Sequence, residues 1–145
     1  MKVYLTRRYK FSASHRLHCE SMSEEENQQV YGKCNNPFGH GHNYILEVTV
    51  SGTPAADTGM ICNLPDLDGF VHHKILEQYH DSNLNCMKEF QGTVPTTENL
   101  CVELHRLFKE NFSEVKIEKV RIQETMMNSF EYAGEAFAGT SSTIK

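Results

Sequence analysis

A chain of 145 residues, 39% hydrophobic and 23% charged, fits one globular domain with a core of its own. A formal net charge of -5 argues against a nucleic-acid binder. No apolar run approaches the roughly 18–20 residues needed to cross a bilayer, and the start, MKVYLTRRYKFSASH, has no secretory core and cleavage site. The expectation is a cytoplasmic protein with no nucleic-acid or membrane partner. Cysteines at 19, 34, 62, 86 and 101 are odd in number and form no CxxC, so reduced thiols are expected.

In chain order, Val3 to Phe11 reads as a strand, with Val3, Leu5, Tyr9 and Phe11 on one face and an interruption at Arg7. Small residues follow, then His15 and Arg16. Ser23 with Glu26 forms a capping box, predicting a short helical turn. Gly32 to Gly41 is a loop rich in Asn, Pro and Gly. His42 to Ser51 is the clearest strand, with His42, Tyr44, Leu46, Val48 and Val50 on one face. A helix is predicted from Pro65 to about Gln78, with Leu67, Phe70, Val71, Ile75 and Leu76 as its apolar stripe. His80 to Val94 is a polar connection. A second helix starts at PTTE, 95–98, with a threonine N-cap, and Leu100, Cys101, Leu104, Leu107 and Phe108 carry it to about Phe112. Val115 to Glu124 is a third long strand, with Val120, Ile122 and Glu124 in line. Asn128-Ser129 turns the chain into a short fourth strand, Phe130 to Tyr132. Residues 1–134 are read as one domain and 135–145 as a frayed tail. Paired strands with helices between them predict an α+β fold, a four-stranded antiparallel sheet with two helices on one face. Its two edges invite oligomerisation.

The chemistry concentrates in Gly32 to Tyr44, GKCNNPFGHGHNY. In an extended segment His40 and His42 point to the same face and can grip one metal ion. A catalytic zinc needs a third protein ligand, and His15, at the end of the neighbouring strand, is the natural candidate. Cys34 is open to three readings: a further ligand, a base or nucleophile, or a loop thiol. Glu124 is either an acid paired with Lys or Arg, or an anchor for a heterocycle presenting adjacent N–H donors. His18, His72, His73, His80 and His105 read as surface residues.

Together, FSASHRLH at 11–18, GKCNNPFGHGHNY at 32–44, TGMICNLPDL at 58–67, PTTEN at 95–99 and IQET at 122–125 resemble the 6-pyruvoyl-tetrahydropterin synthase family, over nearly all of residues 3–134. The resemblance implies the tunnelling fold (T-fold), in which trimers close a barrel, two trimers form a homohexamer, and active sites lie between subunits. It implies Zn²⁺ on His15, His40 and His42, Cys34 as catalytic cysteine, Glu124 holding a pterin ring, and Thr96 and Thr97 lining its pocket. The implied reaction is a lyase step on 7,8-dihydroneopterin triphosphate, eliminating triphosphate to give 6-pyruvoyl-tetrahydropterin. The family's cysteine is served by an Asp-His pair, and at that position this chain has the reverse order, His80-Asp81. That exchange admits a non-catalytic zinc- or pterin-binding homologue as one alternative. The other is the related 6-carboxy-tetrahydropterin synthases of deazapurine (queuosine) biosynthesis. Those typically carry three residues between the cysteine and His-Gly-His, whereas five, Asn35 to Gly39, intervene here.

Overall fold

The computed structural model describes residues 1–135; the predicted tail lies, beyond Glu135, outside them. Strand β1, Val3–His15, runs past Phe11 to the histidine. Its antiparallel ladder with β2, His40–Gly52, is unbroken from Val3↔Gly52 to His15↔His40, so the small residues Ser12 to Ser14 stay in the sheet. Arg7 interrupts the apolar row, as expected, without breaking the strand. Arg7 lies on the same strand face as Leu5 and Tyr9, where its guanidinium donates to Asp68 at 3.1 and 2.8 Å. The Tyr9 hydroxyl donates to the same carboxylate at 2.7 Å. A charge on an otherwise apolar strand face is tolerated because it is paired and hydrogen-bonded.

Strand β3, Ser82–Asn83, adds to β1 in parallel, and β4, Lys116–Thr125, and β5, Asn128–Tyr132, extend the other side. The sheet therefore has five strands in the order β3-β1-β2-β4-β5, where four antiparallel ones were expected. Two polar residues have no alternation to announce a strand. They are held by backbone pairing and by the amide of Asp81, which donates to Ser12 O at 2.6 Å. The turn between β4 and β5 falls at Met126-Met127, two residues before the predicted Asn128-Ser129.

Helix α1, Glu24–Tyr31, starts at Ser23 with the predicted capping box: Glu26 N donates to Ser23 Oγ at 3.1 Å, and Ser23 N to Glu26 Oε1 at 3.0 Å. Helix α2, Leu64–Val71, is capped by Asn63 and passes through a π-helical turn, His72–Leu76, into α3, Glu77–Tyr79. Helix α4, Thr97–Asn111, is capped by Thr96. The α2–α3 rod contributes Leu67, Val71 and Ile75 to the core, and α4 contributes Leu100, Cys101, Leu104 and Phe108. They pack against Phe11, Tyr44, Leu46, Val48, Val120 and Ile122 of the sheet, as a pair of helices on one face requires. Beyond the helix-packed face the sheet carries ion pairs, Arg8 and Arg121 both meeting Glu47 at 3.0 Å.

His105 is not the surface residue expected from sequence. It is 6% exposed and stacks edge-on against Tyr132, centroids 4.9 Å apart. Burial, assisted by Lys109, holds its imidazole below the ordinary value of 6.5. The folded state thus favours neutral His105, and stability is lost as pH falls from about 6.5, because the unfolded chain binds a proton that the folded chain resists. His105→Gln is expected to flatten the decline of melting temperature between about pH 7 and pH 5. An unchanged slope in pH-dependent thermal melts would contradict this.

Candidate active site

The register of β1 and β2 assembles the centre. His15 lies opposite His40 and Ala13 opposite His42, so three imidazoles converge on the helix-packed face. Ring centroids are 5.2 Å apart for His15–His40, 5.2 Å for His15–His42 and 4.6 Å for His40–His42. His15 Nδ1 lies 2.9 Å from the carbonyl of Pro95 and, as donor, keeps its proton there, leaving Nε2 bare. The Nε2 atoms of all three histidines are buried without a hydrogen-bond partner. Buried polar atoms are ordinarily satisfied. Three buried, unpartnered ring nitrogens on one face of the β1–β2 ladder are donors that a metal ion would satisfy. Burial lowers the pKa of His15 and of His42, which favours the neutral, ligating form.

Cys34 reaches this centre from a 3₁₀ turn, Gly32–Asn35. Its sulfur and nitrogens of His15 and His40 lie within 4.8 Å of one another. The turn is fastened to the chain after β1: Leu17 N donates to Cys34 O at 2.7 Å and Asn35 Nδ2 to Leu17 O at 2.8 Å. Gly39, with φ of +71°, closes the loop where a Cβ would sit 2.9 Å from the carbonyl oxygen of His15, so no side chain fits there. Burial, and behind it the charge of Glu124, raises the Cys34 pKa, so the protein alone holds a thiol.

Glu124, near the end of β4, flanks the imidazoles. One carboxylate oxygen accepts from the Thr97 hydroxyl and stands 3.9 Å from His42 Nε2; the other accepts from Asn128 Nδ2 at 3.3 Å. Among the described residues no lysine or arginine pairs with it, so the ordinary ion-paired reading does not apply. It also forms a second potential ligand set with His15 and His42, donor atoms within 4.8 Å of one another. Thr97 is buried against Glu124, while Thr96 is occupied as the α4 cap, its hydroxyl accepting from Asn99 N at 3.1 Å.

His80 and Asp81 immediately precede β3, on the side of β1 away from β2. Ser12 N donates to His80 Nδ1 at 3.0 Å, and His80 Nε2 is 3.6 Å from Asp81 Oδ2. Asp81, with φ of 60°, borders a cleft shared with Ser12, Ser14, Gly41, His42 and Asn43. Among the described residues neither is hydrogen-bonded to Cys34 of the same chain. Sequence reasoning missed Pro95 and Asn128. The first acts through a backbone carbonyl, which no residue type announces.

A family model described as 6-pyruvoyl tetrahydropterin synthase matches residues 4–135. The chain belongs to this family. It is 44% identical over 133 residues to the 6-pyruvoyl tetrahydrobiopterin synthase of Poecilia reticulata, covering 91% of this chain and 90% of that one. To the human 6-pyruvoyl tetrahydrobiopterin synthase it is 41% identical over 135 residues, covering 92% and 93%. The solved 6-pyruvoyl tetrahydropterin synthase of Caenorhabditis elegans superposes with a TM-score of 0.86 at 36% identity, covering 93% of this chain and 97% of that one. The synthase family's T-fold is therefore the fold of this chain, with the strand count corrected to five.

Proposed function

We propose that this protein is a lyase that converts 7,8-dihydroneopterin triphosphate to 6-pyruvoyl-tetrahydropterin with release of triphosphate, using Zn²⁺ held by His15, His40 and His42. The observation that carries the reading is the trio of buried, unpartnered Nε2 atoms beside Cys34 and Glu124. Neutral imidazoles in this number suit zinc, with a position left for substrate. When bound, the ion would polarise the substrate's side-chain oxygens, acidify their neighbours and favour the Cys34 thiolate. Cys34 takes a proton from the substrate side chain and returns it as redox equivalents pass from side chain to ring. Glu124 accepts from adjacent ring N–H groups, and Thr97 fixes the carboxylate so that the reacting carbons stay beside the imidazoles. The Pro95 carbonyl keeps His15 in its ligating tautomer.

His80 and Asp81, on a sheet edge away from their own cysteine, suit a homohexamer in which that edge serves a neighbouring subunit's site. The five residues between Cys34 and His40 favour the pyruvoyl over the carboxy product.

Triphosphate release from 7,8-dihydroneopterin triphosphate tests the reading. Wild type should release it, and Glu124→Gln should lose about 10–100-fold in kcat/KM, the equivalent of one charge-assisted hydrogen bond at about 1.5–3 kcal/mol. Metal content should be unchanged in that variant. Loss of metal would instead make Glu124 a ligand, and no release by wild type would reject the reaction.

A further inference from the structure

Among the described residues, one other set of side chains outside the centre described above presents donor atoms to a common point. His72, His73 and Glu77 lie on the outer side of the α2–α3 rod, each more than half exposed. One oxygen, Glu77 Oε1, stands 3.5 Å from His72 Nε2 and 3.2 Å from His73 Nδ1. The three donor atoms all lie within 4.8 Å of one another, and the two rings meet at 75° with centroids 5.1 Å apart.

The backbone explains why three residues so spaced meet. In an α-helix the neighbours of residue 72 on the next turn are residues 75 and 76. Here the turn His72–Leu76 is π-helical, and the amide of Glu77 donates to the carbonyl of His72, five residues back. The wider turn brings Glu77 beneath both adjacent histidines. An α-helical register would not bring one carboxylate oxygen to both rings. π-Turns of this kind often mark functional positions.

We propose that His72, His73 and Glu77 form a second metal site, taking a borderline divalent ion of the zinc type through two imidazoles and one carboxylate. Bonds of about 2.0–2.2 Å at tetrahedral angles put neighbouring donors about 3.3 Å apart, close to the two nitrogen–oxygen separations seen. Nitrogen–oxygen ligand sets of this composition select zinc-like ions over magnesium or calcium, which prefer all-oxygen shells. Three protein ligands leave one position for water or for a donor from another molecule. Exposure makes the site weaker than the buried centre, where three preformed imidazoles are shielded from solvent. The inference rests on the helix alone and does not depend on the catalytic reading.

Calorimetric titration of metal-free, untagged protein with zinc chloride tests it. Wild type should show two binding steps per chain, the second weaker. His73→Ala and Glu77→Gln should each weaken or lose the second step, by about tenfold or more, and keep the first. His42→Ala should do the reverse. Because His73 and Glu77 are exposed, both variants should keep the wild-type far-UV circular dichroism. A wild-type titration left unchanged in both helix variants, whether it shows one step or two, would overturn the proposal; a single step lost in both would keep it and reject zinc binding at the buried centre. A lost first step in His42→Ala with the second intact supports it independently of any turnover.

Discussion

His15→Ala is expected to empty the catalytic centre of metal and to lower turnover by about 10³-fold or more, the loss of several kcal/mol of transition-state stabilisation. His15 is the most deeply buried of the three imidazoles, 1% exposed, and the one whose orientation is fixed by a backbone carbonyl. Its removal takes away a proposed ligand and also strips the Pro95 carbonyl of its partner, a further cost of about 1–3 kcal/mol in stability. His42→Ala, at a less buried position, is the companion that separates metal loss from unfolding. Metal per chain after dialysis, read by atomic emission beside the melting temperature, is the check. A folded His15→Ala protein with full metal would show that the three imidazoles do not act as one site.

Cys34→Ala is expected to cut kcat by about 10²–10⁴-fold, the range for a positioned general base, with metal retained. The geometry makes the alternative concrete, because the sulfur shares a 4.8 Å neighbourhood with nitrogens of His15 and His40. A fourth-ligand cysteine would close the site, and its loss would release metal. A bystander would change neither quantity. Turnover and metal content measured on one preparation separate the three readings. Burial and Glu124 both keep the free thiol protonated. The base role therefore needs a positive charge nearby, and the metal-free wild type should alkylate at Cys34 more slowly than the zinc-loaded protein.

The centre was legible where chemistry follows local period. His40 and His42 share a face because side chains alternate along a strand, and the capping box at Ser23 and the cap at Thr96 are written in contiguous residues. The joining of His15 to them depends on a ladder thirteen residues long, and its last steps run through Ser12, Ala13 and Ser14, which carry no strong strand signal. The two-residue strand β3 and the π-turn at His72 arise from tertiary pairing and backbone hydrogen bonding, not from residue type. The burial of His105 is written in its spacing: it follows Leu104 and lies four residues after Cys101, inside the apolar stripe of α4. A histidine on such a stripe is more often core than surface when its neighbours at helical spacing are buried.

The order His80-Asp81 is where residue identity and function are least directly joined. Asp81 accepts a left-handed backbone, which a short polar side chain tolerates better than most. The pair is anchored by Ser12 through both a donor and an acceptor of its backbone. These contacts fix the edge of β1 firmly and leave the outer sides of His80 and Asp81 open, 54% and 79% exposed.

The mass of the product formed from 7,8-dihydroneopterin triphosphate by zinc-loaded protein decides whether the proposed lyase step occurs. The expected products are 6-pyruvoyl-tetrahydropterin and one equivalent of triphosphate. A 6-carboxy product, or substrate recovered intact from metal-loaded, folded protein, would contradict that step.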